Sequence, residues 1–127
     1  MSAPRTVTVP TLDHGDIVIP EPAWCAGHDG QPPQYRIDIG HTGPERELIV
    51  PTSRGPVPLM VTAIEQRPFI GDRFPGTAPL VWLGISSDGY PSSPAQLDQL
   101  ANALVGHAAT LRALARRLAV LRIREGR

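Results

Sequence analysis

The residues of this sequence that could do chemistry lie close together in its first third. Three of the four histidines and the only cysteine fall within 28 residues. Cys25 and His28 are separated by Ala-Gly, and a two-residue spacer lets both side chains reach one ion, as in a zinc knuckle. Zinc favours nitrogen and sulfur donors in a tetrahedral arrangement, and carboxylates can complete the set. The sequence therefore predicts a zinc site formed by Cys25, His28, Asp38 and His41, with His14 as a substitute.

Two other interpretations of this segment remain open. In the first, Cys25 is a small buried hydrophobic residue beside Trp24, and the histidines lie on a polar loop. In the second, the cysteine and a histidine form a hydrolase site, which requires a thiolate of low pKa beside a base. The flanking prolines and the lack of a predicted helix N-terminus behind Cys25 disfavour an activated thiolate. The glycines are isolated and form no phosphate-binding motif, so we predict a protein that is not an enzyme.

Short strands and turns must position this segment, because nearly all of the 15 prolines and 12 glycines precede residue 95. Alternating or β-branched runs predict strands at Arg5–Val9, Asp16–Ile19, Gln34–Ile39, Glu47–Val50, Val57–Gln66 and Ala78–Ser86. The last run is almost entirely apolar, as a central strand buried on both faces would be. Strands followed by one helix predict an α+β fold with an antiparallel sheet of about four to six short strands. The length suits a single domain over residues 1–127, strand- and turn-rich over 1–91.

A long amphipathic C-terminal helix is predicted over residues 93–123. The run Ser93-Pro94-Ala95-Gln96 is a capping box, in which serine caps the helix and proline fills its first position. Apolar residues then repeat with heptad spacing along one face. The seam consists of Leu97, Leu100, Leu104, His107, Leu111, Leu114, Leu118 and Leu121.

The length of this helix predicts self-association. About 30 helical residues at ~1.5 Å each span roughly 45 Å, which is longer than a small sheet can cover. The first half would cover the sheet, and the second half would overhang and expose its leucines as an unstable apolar patch. Against this, the small alanines that flank the seam are more typical of a helix in a globular core. We predict a homo-oligomer, such as a homodimer, formed through Leu104, Leu111, Leu114, Leu118 and Leu121.

His107 interrupts the leucine seam. A histidine at this position could set the register of a helix pair or respond to pH. It has no adjacent partner that would make it catalytic, so the favoured interpretation is a partly buried side chain with one hydrogen bond.

The charge distribution offers a second class of function. The formal net charge is zero, but residues 100–127 hold six arginines and one acid, so their balance is 6 − 1 = +5. A basic helix of this kind could bind nucleic acid through Arg112, Arg116, Arg117, Arg122 and Arg124. The rest of the chain is acidic and carries no recognised nucleic-acid-binding motif, so we favour a solvated helix face.

The sequence predicts a soluble, cytoplasmic protein. No run approaches the ~18 apolar residues that a membrane span needs, and nothing at the N-terminus resembles a signal peptide. One cysteine excludes an intramolecular disulfide.

The sequence resembles a family of small uncharacterised actinobacterial domain proteins. The resemblance rests on the Trp-Cys-x-x-His segment ending at His28, the Asp-x-x-His segment from Asp38 to His41, and the Ala/Leu-rich helix that follows the capping box. It implies no mechanism, and it makes the absence of lysine unsurprising. Together these features predict a non-enzymatic, self-associating regulatory or adaptor module with a structural zinc at its Cys/His segment.

Overall fold

The computed structural model describes residues 5–125 and has two antiparallel sheets followed by one long helix, which confirms the predicted α+β class. The first sheet is a hairpin of β1 (Arg5–Pro10) and β2 (Asp16–Glu21). Gly15 closes its turn with a φ of 62°, a conformation that glycine adopts without strain. Both predicted strands therefore exist. Each ends at or just beyond a proline, which has no amide hydrogen to donate, and this is tolerated because each strand of a two-stranded ribbon has an outer edge without a partner strand.

The second sheet is built around one long strand, β5 (Gly55–Gln66). β3 (His41–Thr42) and β4 (Arg46–Thr52) both pair with it, as does β6 (Leu80–Ile85). Glu65 of β5 pairs with β3 on one side and β6 on the other, and Met60 pairs with β4 and β6 in the same way. Consequently β3 and β4 lie end to end along one edge of β5, and β6 occupies the opposite edge.

Two of the strand predictions need correction. The segment Gln34–Ile39 forms no strand; it contains a 3-10 turn at Arg36–Asp38. Side-chain contacts hold it there, because the Arg36 amide donates to Asp13 Oδ1 at 2.9 Å and the Arg36 guanidinium lies 4.1 Å from the centre of the Phe69 ring.

The apolar strand β6 is an edge strand and not a central one. Its Trp82, Leu83 and Ile85 side chains are about half exposed or more. A continuous apolar run predicts a central strand that is paired at both edges and buried on both faces. Within the described residues, β6 pairs with β5 at one edge, and its other edge has no strand beside it.

The helix α1 (Pro94–Arg124) begins as the sequence predicts. Ser93 Oγ accepts a hydrogen bond from the Gln96 amide at 3.2 Å, and Gln96 Oε1 accepts one from the Ser93 amide at 2.8 Å, so the capping box is complete. None of the helices within residues 5–125 has the length and apolar character that crossing a membrane requires.

The predicted overhang of α1 is wrong, because its C-terminal half is the better-packed half. Leu114 is 6% exposed and packs with Trp24 and Ile64, whereas Leu104 in the first half is 44% exposed. Polar contacts hold the C-terminal end of the helix on the sheet. Arg122 Nε donates to the Pro79 carbonyl at 2.7 Å, and the side-chain amide nitrogen of Gln66 (Nε2) donates to the Glu125 carboxylate at 2.8 and 3.0 Å.

The leucines of the C-terminal half are therefore largely covered by the chain itself. Leu111, Leu118 and Leu121 are partly buried. These leucines do not form an exposed patch that would require a second copy of the chain to cover it. Self-association itself stays a prediction.

His107 is buried, and among the described residues its Nε2 has no hydrogen-bond partner. A buried nitrogen without a partner carries a desolvation cost of about 1–3 kcal/mol. We expect His107→Leu, which completes the leucine seam, to raise the free energy of unfolding by about 1 kcal/mol in urea denaturation. His107→Gln keeps a polar group at the same place and serves as the matched control, for which no gain is expected. A loss of stability in His107→Leu would show that the ring makes a favourable polar contact.

Candidate metal centre

Three of the predicted metal ligands lie together between the two sheets. The donor atoms of Cys25, His28 and His41 are all within 4.8 Å of one another. Cys25 Sγ is 3.6 Å from His28 Nε2, and His28 Nε2 is 3.3 Å from His41 Nδ1. Within residues 5–125, these three side chains are the group of His, Cys, Asp and Glu residues close enough to share an ion.

The distances between the donor atoms fit a single ion at the centre of a tetrahedron of ligands. A tetrahedral zinc with Zn–S bonds of ~2.3 Å and Zn–N bonds of ~2.05 Å has S···N edges of about 3.6 Å and N···N edges of about 3.3 Å. Two of the three donor separations match those edges, and the third, between Cys25 and His41, is within 4.8 Å. The side chains are therefore spaced as zinc ligands before any ion is considered.

A tight turn after β2 places the first two ligands. The Cys25 amide donates to the Pro22 carbonyl at 3.0 Å, and the Ala26 amide donates to the Thr42 carbonyl of β3 at 2.9 Å. Gly27 follows with a φ of 104° and donates its amide to Cys25 Sγ at 3.4 Å. Glycine is required for this backbone conformation, and an amide that donates to sulfur stabilises the thiolate.

Contacts outside the cluster orient both histidines. His28 Nδ1 lies 3.2 Å from Gln31 Oε1, which leaves Nε2 directed at the other two donors. His41 is 2% exposed, and its ring meets Trp24 edge to face with the centroids 6.4 Å apart. A second polar partner on the far nitrogen is the usual way in which a protein fixes a metal-binding imidazole.

Burial dominates the electrostatics of the cluster. It raises the pKa of the Cys25 thiol, and the neighbouring Glu21 carboxylate raises it further against the opposing effect of the Gly27 amide. Burial also lowers the pKa of His41, and the charge of a protonated His28 would lower it further. Neutral imidazole is the form that binds metal, whereas a thiol held protonated needs a cation beside it to ionise.

The structure does not bring the predicted ligand Asp38 or the substitute His14 into this group. Asp38 is exposed and ends the 3-10 turn, so the chain directs it to solvent before it reaches His41. His14 is exposed at the tip of the first hairpin, where its Nδ1 is 3.2 Å from Asp13 Oδ2.

Sequence reasoning missed Glu21. Its side chain is 10% exposed, it pairs with Arg5 Nε at 3.6 Å, and it acts electrostatically on both Cys25 and His41. The signal that could have found it is its position four residues before the cysteine, at the end of a strand that leads directly into the turn.

Comparison with known proteins agrees with the expectation of an uncharacterised family. A family model described as a domain of unknown function (DUF6907) matches residues 6–120. No curated protein and no solved structure matches this chain.

Proposed function

The chain belongs to the DUF6907 family, and from the geometry of its Cys/His cluster we propose that it is a small zinc-binding domain without enzymatic activity. The observation that carries this proposal is the agreement between the donor separations of 3.6 and 3.3 Å and the edges of a zinc tetrahedron. Cys25, His28 and His41 supply three of the ligands.

In this proposal Glu21 lies beside the three ligands, outside the group whose donor atoms are within 4.8 Å of one another, and balances the charge of the ion. A zinc ion with one thiolate and two neutral imidazoles carries a net charge of about +1, and an uncompensated charge in a buried place is costly. The Glu21 carboxylate is nearly buried, and it acts on both Cys25 and His41. Its ionised form would make the site electrically neutral.

The role of the metal is structural. The described core includes two small clusters, one of Val9, Ile19 and Ile39 under the first hairpin and one around Leu114 under the helix. The metal site joins the turn that follows the hairpin to β3 of the second sheet. A metal ion that links this turn to β3 would stabilise the contact between the first hairpin and the second sheet, which the small clusters stabilise only weakly.

The state of Cys25 supports a role without catalysis. Without a metal, burial raises the pKa of its thiol, and a protonated thiol is a weak nucleophile. With zinc bound, the thiolate is held by the ion and is not free to attack a substrate. A reactive cysteine would need the opposite environment, with an exposed sulfur near a positive charge.

The wider setting is a regulatory or adaptor module in the cytoplasm that associates with itself. Support comes from the apolar side chains that the chain leaves exposed on the first half of α1, namely Leu97, Leu104 and Val105. The basic helix gives less support to a nucleic-acid-binding role, because Arg122 is engaged with the Pro79 carbonyl. For the family as a whole, we propose an actinobacterial origin. We also propose that its Cys/His segment is the part that binds metal.

Elemental analysis of the purified protein tests the central claim. We expect about one zinc per chain, since the cluster forms one site. A content near zero after purification without chelator, together with no uptake of added zinc, would refute the proposal.

A further inference from the structure

A cavity of about 300 Å³ lies between the C-terminal half of α1 and the second sheet. This volume is at the lower end of the range for small-molecule sites. Trp24, Ile64 and Leu114 form apolar walls. Cys25 also lines the cavity, whereas His28 and His41 do not, so the cavity adjoins the metal centre at the cysteine alone.

A buried hydroxyl without a partner lies in the wall of this cavity. Thr62 is 1% exposed, and among the described residues its Oγ1 has no hydrogen-bond partner. An unpaired buried hydroxyl is destabilising, and the large majority of buried polar side-chain atoms in proteins are paired. The oxygen is closed to a water-sized probe in this structure, and rotation of the Thr62 side chain toward the adjacent cavity would let the hydroxyl donate to a ligand's acceptor atom.

Two arginines give the cavity its charge. Arg46 and Arg117 both line it, and no carboxylate within residues 5–125 does so. The β4–β5 register pairs Arg46 with Thr62, so the two side chains stand on the same face of the sheet. Neither arginine forms an ion pair with a carboxylate of the described chain. A guanidinium left unpaired at the mouth of an apolar cavity is suited to a carboxylate.

We propose that this cavity binds a small organic acid, with its carboxylate at Arg46, Arg117 and the Thr62 hydroxyl. The apolar body of the acid lies against Trp24, Ile64 and Leu114. The arginines select a negative charge and the walls select a compact aromatic or short aliphatic group. None of the three residues that hold the carboxylate belongs to the Cys/His cluster.

Tryptophan fluorescence tests the proposal, because Trp24 lines the cavity and Trp82 lies exposed on β6. The Trp82→Phe protein, with its metal retained, is titrated with phenylacetate and, separately, with its neutral analogue phenylacetamide. We expect a saturable change with phenylacetate in the millimolar range or below. Loss of the charge should weaken binding about tenfold or more, since a charge-assisted hydrogen bond contributes on the order of 1.5–3 kcal/mol.

Variants locate the binding. Arg117→Gln and Arg46→Gln should each weaken phenylacetate about tenfold, and Thr62→Val should weaken it several-fold. Arg112→Gln removes an exposed arginine that does not line the cavity, so it is the matched control and should bind as the parent does. Circular dichroism verifies that each variant is folded. No saturable change in the folded parent, equal affinity for phenylacetamide, or equal weakening by Arg112→Gln would each overturn the proposal.

Discussion

The Cys25→Ala variant is expected to lose its zinc and at least about 3 kcal/mol of unfolding free energy. Binding free energies of structural zinc sites reach about 10–16 kcal/mol in small peptides, and the part that exceeds competing binding to the unfolded chain appears as folding stability. Cys25 contributes the sole sulfur donor of the cluster and accepts the Gly27 amide. Its removal takes away the ligand that binds zinc most strongly.

A chelator separates this result from simple loss of packing. If Cys25 were only a small buried hydrophobic residue, truncation would cost about 1 kcal/mol and a chelator would leave the wild-type melting curve unchanged. With zinc bound, the chelator should lower the stability of the wild-type protein to that of Cys25→Ala and have no effect on the variant itself. Urea denaturation with and without chelator, accompanied by elemental analysis, measures both quantities.

Three further variants define the ligand set. Glu21→Gln should weaken zinc binding while preserving the fold, because it removes the charge that neutralises the site but keeps the shape of the side chain. Asp38→Asn and His14→Gln are matched controls, since both residues are exposed and lie outside the cluster, and each should retain one zinc per chain. Loss of zinc in Asp38→Asn with retention in Glu21→Gln would instead favour the ligand set expected from sequence.

Local signals made part of this structure predictable. The capping box at Ser93 marks the start of α1, and the Cys-x-x-His spacing identified two side chains whose donor atoms one turn brings together. His41 was found because histidine is a common zinc ligand. Glu21 was not found, because its residue type alone does not show that the turn after β2 brings Cys25 back beside it.

The predictions that were wrong concern how one element packs against another, which the residues of a single segment cannot specify. The apolar run of β6 has the composition of a central strand, yet its position at the edge follows from where β4 pairs with β5. The leucine seam shows which face of α1 is apolar but not where along the helix the sheet lies. The cavity arises from side chains of four separated segments, including Trp24, Thr62 and Arg117.

The position of the sheet under α1 gives the second large prediction, which concerns Leu114. This side chain is buried between Trp24 and Ile64, so Leu114→Ala should leave a cavity and lower the free energy of unfolding by about 2–5 kcal/mol. Leu104→Ala is the matched control on the same face of the same helix. Because Leu104 is 44% exposed, its truncation should cost less than about 1 kcal/mol in the monomer.

The same pair of variants distinguishes folding from association. If the C-terminal half of α1 were an overhang that meets a second copy, Leu114→Ala would dissociate an oligomer and its stability loss would depend on protein concentration. The observed packing predicts a loss that is independent of concentration. Association through the exposed first half predicts instead that Leu104→Ala lowers the mass measured by light scattering at high concentration. Urea denaturation and light scattering at two protein concentrations therefore test separately whether the C-terminal half of α1 belongs to the core and whether its first half is a surface for self-association.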